Sequence, residues 1–303
     1  MSLSDKPFDI VVFGASGYTG RLVAEYLAAE YAGSDLKWAM AGRSLDKLTA
    51  VRAEMCISDA VELLAVDVDN PDSVTQMVDA CRVVVTTVGP YQLYGDELVK
   101  QCAERGTDYV DLTGEPSWMH ETIAQFSSAA KASGARIVHS CGFDSIPFDL
   151  GVYRLQQHAI AKTGQPIAMV KGRVRAMNGT FSGGTIASMR ATMASAKANP
   201  AIIQVLTNPF ALTEGFTGPE QPTGMAPQYD EELQSWSAPF IMAPINTKNI
   251  HRSNFLLGHQ YGEDFRYDEM LLTGDGDQGK AAADYVAKDD SVAKSKPSKH
   301  YNK

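Results

Sequence analysis

Over the first 140 positions, apolar residues recur in short runs separated by amphipathic stretches. Phe8–Phe13 is continuous and β-branched, the pattern of a strand buried on both faces. Gly14 breaks it, and Arg21–Glu30 then carries Leu22, Val23, Tyr26 and Leu27 at helical spacing. The alternation repeats. Strands are expected over Lys37–Ala41, Val61–Val66, Val83–Val88, Tyr109–Leu112 and Ile137–Ser140. Helices are expected over Leu45–Met55, from Pro71 through Val74 and Val78, and over Glu97–Glu104 and Glu121–Ser133. Each parallel pairing needs a crossover, so this rhythm predicts an α/β fold with a doubly wound parallel sheet.

Beyond Pro147 the rhythm changes. Phe148–Ala161 and Gly184–Ala198 read as helices and Ala168–Met177 as a strand. Pro200–Pro244 is rich in Pro, Gly, Thr and Gln, with weak periodicity, and reads as a long loop or lid-like segment. Asn254–Leu257 and Asp268–Thr273 fit strands of a second sheet. The expected organisation is a first domain over 1–147, a second α/β or α+β substrate and dimerisation domain over 148–275, and a polar, loose tail over 276–303.

Composition narrows the partners. A net charge of −9 argues against nucleic acid, which calls for a clustered basic face. It leaves room for an anionic ligand on a local arginine or a helix terminus. The cysteines (Cys56, Cys81, Cys102, Cys141) are scattered without CxxC pairing and the histidines are dispersed, so neither a metal site nor a disulfide framework is expected. The opening residues lack a secretory signal pattern, and no run approaches the roughly 18–20 apolar residues of a membrane span. A cytoplasmic protein is the expectation.

Gly14-Ala15-Ser16-Gly17-Tyr18-Thr19-Gly20 lies between the first strand and the first helix. In that setting Gly14 permits a tight turn, Gly17 lets the backbone approach a pyrophosphate, and Gly20 allows close packing of helix on sheet. The helix N-terminus offers N–H groups and partial positive charge to the phosphates. This makes the first domain a dinucleotide-binding Rossmann domain, and the GxxGxxG spacing is common among NADP-binding ones. The second strand ends in Ala41-Gly42-Arg43-Ser44, with Lys47 one turn on, where an NAD site would place a carboxylate. Arg43 can fork onto a 2′-phosphate, which points to NADP(H). Asp67, after the third strand, either bonds the adenine or serves the following turn.

The groups available for chemistry are fewer. No tyrosine has a lysine four residues on, which removes short-chain dehydrogenase chemistry. Cys141 is the one candidate nucleophile for a semialdehyde-type dehydrogenase, and it lacks the flanking residues of such enzymes. Val88-Gly89-Pro90-Tyr91 follows the fourth strand, where a doubly wound sheet opens its nicotinamide crevice. Tyr91 either donates to substrate there or packs over the loop. Asp144 either transfers a proton or caps the helix after Pro147. Ser182-Gly183-Gly184-Thr185 precedes a helix, so Thr185 is either an anion-site contact or a cap. Asn246–Asn254 is unusually polar. In it His251 is a candidate acid, and Asn249 and Arg252 are candidate substrate contacts; a solvated loop is the alternative.

One ordered series joins these motifs: Gly14–Arg21, Ala41–Arg43, Val88–Tyr91 with Tyr94-Gly95, Tyr109–Glu115, Gly142–Pro147, Ser182–Thr185 and His251–Asn254. From about residue 8 to 275 it resembles the saccharopine dehydrogenase-like oxidoreductases, including the trans-acting enoyl reductases of lipid biosynthesis. The resemblance implies an NADPH-dependent reductase of a C=C (enoyl) or C=N bond in a small, lipid-like substrate. A homodimer and peripheral membrane association are possible partnerships on the same ground. A non-catalytic NADP-binding sensor or scaffold is the rival. Family members extend further, with an added apolar segment, so the polar stretch Gly274–Lys303 departs from their pattern.

Overall fold

Alternating apolar runs become alternating elements. β1 (Phe8–Phe13), α1 (Tyr18–Glu30), β2 (Trp38–Gly42), α2 (Leu45–Glu54), β3 (Glu62–Ala65) and α3 (Pro71–Ala80) come first. They are followed by β4 (Cys81–Thr86), the single turn α4 (Tyr91–Tyr94), α5 (Asp96–Arg105), β5 (Asp108–Val110), α6 (Pro116–Ser133) and β6 (Ile137–Val138). In this computed structural model, which describes residues 6–177 and 183–288, all six strands are parallel, in the order β3-β2-β1-β4-β5-β6. That order is the doubly wound, Rossmann arrangement, with β1 central and the chain winding outward on both sides.

The core explains the apolar runs. Val11, Val12, Ala39, Met40, Ala41 and Val84 are sealed from solvent, and Val12, Ala24, Leu27, Met40, Leu48 and Val51 form one cluster that seats α1 and α2. The helices begin where their sequence signals say. Ser44 Oγ accepts from the Lys47 N–H to cap α2, and Asn70 caps α3 with Pro71 as its first residue.

The second half supplies α7 (Ile146–Thr163), β7 (Met169–Val174), α8 (Gly183–Ala198), α9 (Ala201–Thr207), β8 (Gln228–Asp230), β9 (Ser235–Pro239), α10 (Ala243–Leu256), β10 (Arg266–Gly274) and α11 (Gly276–Lys288). Its four strands form a mixed sheet, β7-β10-β9-β8, in which β10 runs parallel to β7 and antiparallel to β9. Val152, Val170, Ile250, Tyr261, Phe265 and Tyr267 make its apolar core.

The chain divides into two units: residues up to Thr113 with Glu121–Cys141, and Gly114–His120 with the chain from Gly142 onward. Gly142–Pro147 thus belongs with the second unit, where the Asp144 carbonyl accepts from Asn246 of α10.

Three sequence expectations are corrected. Asn254–Leu257 is not a strand: Asn254 lies in α10, whose buried positions are mostly polar and so conceal the helical period. Pro200–Pro244 is not one long loop but contains α9, β8 and β9. The sealed positions of β8 and β9 include Asp230, Ser235 and Ser237, which leave no hydrophobic alternation to read. Residues 276–288 are not part of a loose tail. They form α11, which buries Gly279 and Ala283 and packs on β9 and β10. The remainder, 289–303, lies outside the described residues, as does Ser182.

Candidate cofactor site and catalytic groups

Gly14 leaves β1 at φ 87°, a left-handed conformation that suits glycine, and a Cβ there would meet Thr87 Oγ1 at 2.7 Å. The turn is held by Gly14 and Ala15 N–H groups on the Ala41 carbonyl and by the Gly17 N–H on the Gly14 carbonyl. Gly20 comes so near this turn that a Cβ would stand 2.1 Å from the Gly14 oxygen. Ala15 is buried, Ser16 and Thr19 are half-buried, and Tyr18 is exposed. No side chain caps α1, and its first turn holds no acid. A cradle of backbone at the start of a thirteen-residue helix fits a pyrophosphate.

Arg43 and Lys47 are both exposed, at the end of β2 and in the first turn of α2. Among the described residues neither side chain has a hydrogen bond or ion pair, so both remain available to a 2′-phosphate. Asp46 is the acid of that turn. Ser44 is committed to its cap. Asp67 takes the Asp69 N–H on Oδ1, and its backbone pairs with Ser73, so it shapes the turn into α3.

At the end of β4, Thr87 Oγ1 donates to the Phe13 and Gly14 carbonyls, fastening this loop to the glycine turn. Val88 and Pro90 are half-buried and Gly89 exposed. Tyr91 is 4% exposed; its hydroxyl donates to the Thr86 carbonyl and accepts from the Leu112 N–H. That phenol ties the ends of β4 and β5 together.

The remaining candidates lie in the second unit, except Cys141, which closes the first. Asp144 is half-buried, and burial pushes its carboxyl above the ordinary range; among the described residues it has no cation beside it. His251 is 3% exposed, its ring 4.5 Å from that of Phe210 and 5.8 Å from that of Phe265. Burial brings it down to about 4, so it is neutral at pH 7 and offers no imidazolium acid. Arg252 donates to the Leu212 carbonyl at 2.7 Å instead of standing free for an anion. Asn249 is half-buried with its amide nitrogen unpartnered among the described residues. Thr185 is exposed in the first turn of α8, away from the α10 residues in sequence and in element. The Cys141 thiol donates to the Val138 carbonyl, while the His139 imidazole bonds Asp111 and Thr122.

Sequence reasoning missed two groups. Glu269, 2% exposed, accepts from Asn246 Nδ2 at 2.8 Å and from the Tyr267 hydroxyl; burial pushes it up to about 7. Asp111, 3% exposed, gathers donors from the ends of β5 and β6. Both lie inside expected strands, Tyr109–Leu112 and Asp268–Thr273, so the available signal was an acid within a strand-like run.

Residues 10–138 match the family described as the saccharopine dehydrogenase NADP binding domain. A Mycobacterium tuberculosis protein named "Putative trans-acting enoyl reductase Rv2449c" is 43% identical over 283 residues, covering 90% of this chain and 67% of that protein. The trans-acting enoyl reductase of Mycobacterium bovis BCG is 37% identical over 286 residues, covering 90% and 68%. The chain belongs to the saccharopine dehydrogenase-like trans-acting enoyl reductases. It carries that family's NADP-binding domain and spans about two thirds of these enoyl reductases' length. Among solved structures it is similar over 56% of its length to apo saccharopine dehydrogenase from Saccharomyces cerevisiae, at 17% identity, a TM-score of 0.39 and 35% of that chain, too distant to carry any argument. Among the described residues no helix is long and apolar enough to cross a membrane, and no three His, Cys, Asp or Glu side chains group to hold a metal.

Proposed function

We propose that this chain is an NADPH-dependent enoyl reductase that saturates a carbon–carbon double bond conjugated to a carbonyl, with Asp144 as the proton donor. The carrying observation is the glycine cradle at the start of α1 with exposed Arg43 beside it. The support for the reaction is the name borne by relatives 37–43% identical over 90% of the chain.

Bound NADPH supplies the hydride. The rest is asked of the protein. Backbone N–H groups of the cradle hold the pyrophosphate, Arg43 and Lys47 hold the 2′-phosphate, and Tyr91 keeps the loop after β4 in place. Reduction of an enoyl group also needs a proton. Of Tyr91, Asp144 and His251, Asp144 is the half-buried acid with no cation beside it among the described residues, and its burial favours the protonated form. On the resemblance alone, the proposal extends to a lipid-like substrate, a homodimer and peripheral membrane contact; a cytoplasmic location rests on the scattered cysteines and the opening residues.

The test is loss of NADPH absorbance on mixing the purified chain with α,β-unsaturated thioesters and esters, with imine and keto compounds as controls. Oxidation confined to the enoyl compounds supports the reading. Tight NADPH binding without turnover on any of them would replace it by a non-catalytic NADP-binding protein.

A further inference from the structure

We infer that Asp111 is a positioning residue for the nicotinamide half of the cofactor, acting through a hydrogen-bonded lock between the ends of β5 and β6. A dinucleotide-binding sheet consists of two mononucleotide-binding halves, each receiving its ligand outside the carboxyl ends of its strands. The glycine cradle and Arg43 occupy the β1–β3 half. The β4–β6 half is left for the second nucleotide, and Asp111 stands directly after β5.

Its carboxylate accepts four hydrogen bonds. Oδ1 takes the backbone N–H groups of Thr113 at 2.9 Å and Ser140 at 2.8 Å. Oδ2 takes the Tyr109 hydroxyl at 2.9 Å and His139 Nδ1 at 2.7 Å. Its own carbonyl accepts the Cys141 N–H at 2.7 Å. Ser140 has a φ of 59°, left-handed backbone that a residue with a Cβ seldom adopts. It is held there by its N–H on Asp111 and its hydroxyl on the Thr113 carbonyl at 2.7 Å. His139 is bracketed between Asp111 and Thr122, whose Oγ1 lies 3.3 Å from Nε2.

One buried side chain thus sets the course of the two segments that leave β5 and β6. The choice of acid is dictated by donor count. A carboxylate accepts from all four directions, whereas the equally sized amide of asparagine turns two of its own N–H bonds toward donors.

The test compares two ligands on the full chain: NADPH, which engages both halves, and 2′,5′-ADP, which reports the adenosine half alone. Asp111→Asn is expected to weaken NADPH about tenfold while leaving 2′,5′-ADP unchanged. Equal weakening of both ligands, or of neither, would overturn the assignment. Ser140→Ala keeps the acid and removes the hydroxyl's bond to the Thr113 carbonyl. It is expected to weaken NADPH about threefold with 2′,5′-ADP again unchanged. Should Asp111→Asn fail to fold, a wild-type ratio of the two affinities in Ser140→Ala decides against the lock. Failure of the wild-type chain to bind either ligand would instead strike at the NADP site itself.

Discussion

The two units bury different things. The first fills its interior with Val, Met, Ala and Leu between parallel strands and puts its polar atoms at the strand ends. The second drives polar side chains inward: Asn246, Lys248, His251 and Asn254 on α10, Glu269 and Asp268 on β10, Ser237 on β9. Among the described residues, seven of the eight side chains with a buried, unpartnered polar atom lie in the second unit, Arg21 being the exception. Such atoms cost roughly 1–3 kcal/mol each, so a fold that retains several gives up stability for chemistry or for specificity. The first unit is built to hold a ligand by its backbone. The second holds groups whose charge depends on pH.

The largest expected effect comes from Asp144→Asn. It should lower kcat on an enoyl substrate by about 10²–10⁴-fold and leave NADPH affinity alone. Retained turnover with weakened NADPH would reverse the division between the units. Because burial raises the Asp144 carboxyl, the rate of the wild-type enzyme should hold into the range above ordinary carboxylates and fall once that group ionises.

Next is Glu269→Gln, read as stability against pH. The folded value of about 7 lies above the 4.5 of a free carboxyl. The contribution of Glu269 is therefore present in full below 4.5 and lost as pH rises through 7, on the order of 3 kcal/mol. Tm of the wild type should drop relative to the Gln variant across that window; parallel curves would contradict it. His251 works the other way. Its contribution is present above 6.5 and lost as pH falls through 4.

Gly20→Ala probes the backbone strategy of the first unit. The added methyl meets the Gly14 oxygen, which no rotamer change can move aside. A loss of about 1–3 kcal/mol with weaker NADPH binding is expected, and unchanged values for both would mean the cradle is not tight. The smallest effect is that of Arg43→Ala. The exposed site predicts an unchanged Tm, with NADPH weakened about tenfold and NADH untouched. Equal weakening of the two would mean that Arg43 does not contact a 2′-phosphate.

The same contrast governs what could be read from the sequence. β1 falls at the expected Phe8–Phe13, and the order of strands and helices through β6 follows from apolar runs, because burial there is apolar and glycine geometry punctuates it. In the second unit that rule inverts. α10 was legible as chemistry-bearing residues but not as a helix, since Asn246, Lys248, His251 and Asn254 occupy the positions where Leu would announce one. Residue type does not show partners. In the fold Tyr91 bonds Thr86, His251 packs beside Phe210 and Phe265, and Arg252 donates to the Leu212 carbonyl. Asp111 and His139 lie far apart in sequence and meet only because β5 and β6 pair in register, a juxtaposition invisible to spacing.

Strand order also sets a timetable for synthesis. β1, made before the other five strands of its sheet, is central; it gains β2 soon after and β4 once Cys81–Thr86 has emerged. At that point β4 exposes an unpaired edge, which stays open until Asp108–Val110 is available, while the far edge, β6, waits for Val138. Nascent chains stalled between those points carry an apolar parallel edge with nothing alongside it, a species prone to pair with a neighbour on the same message.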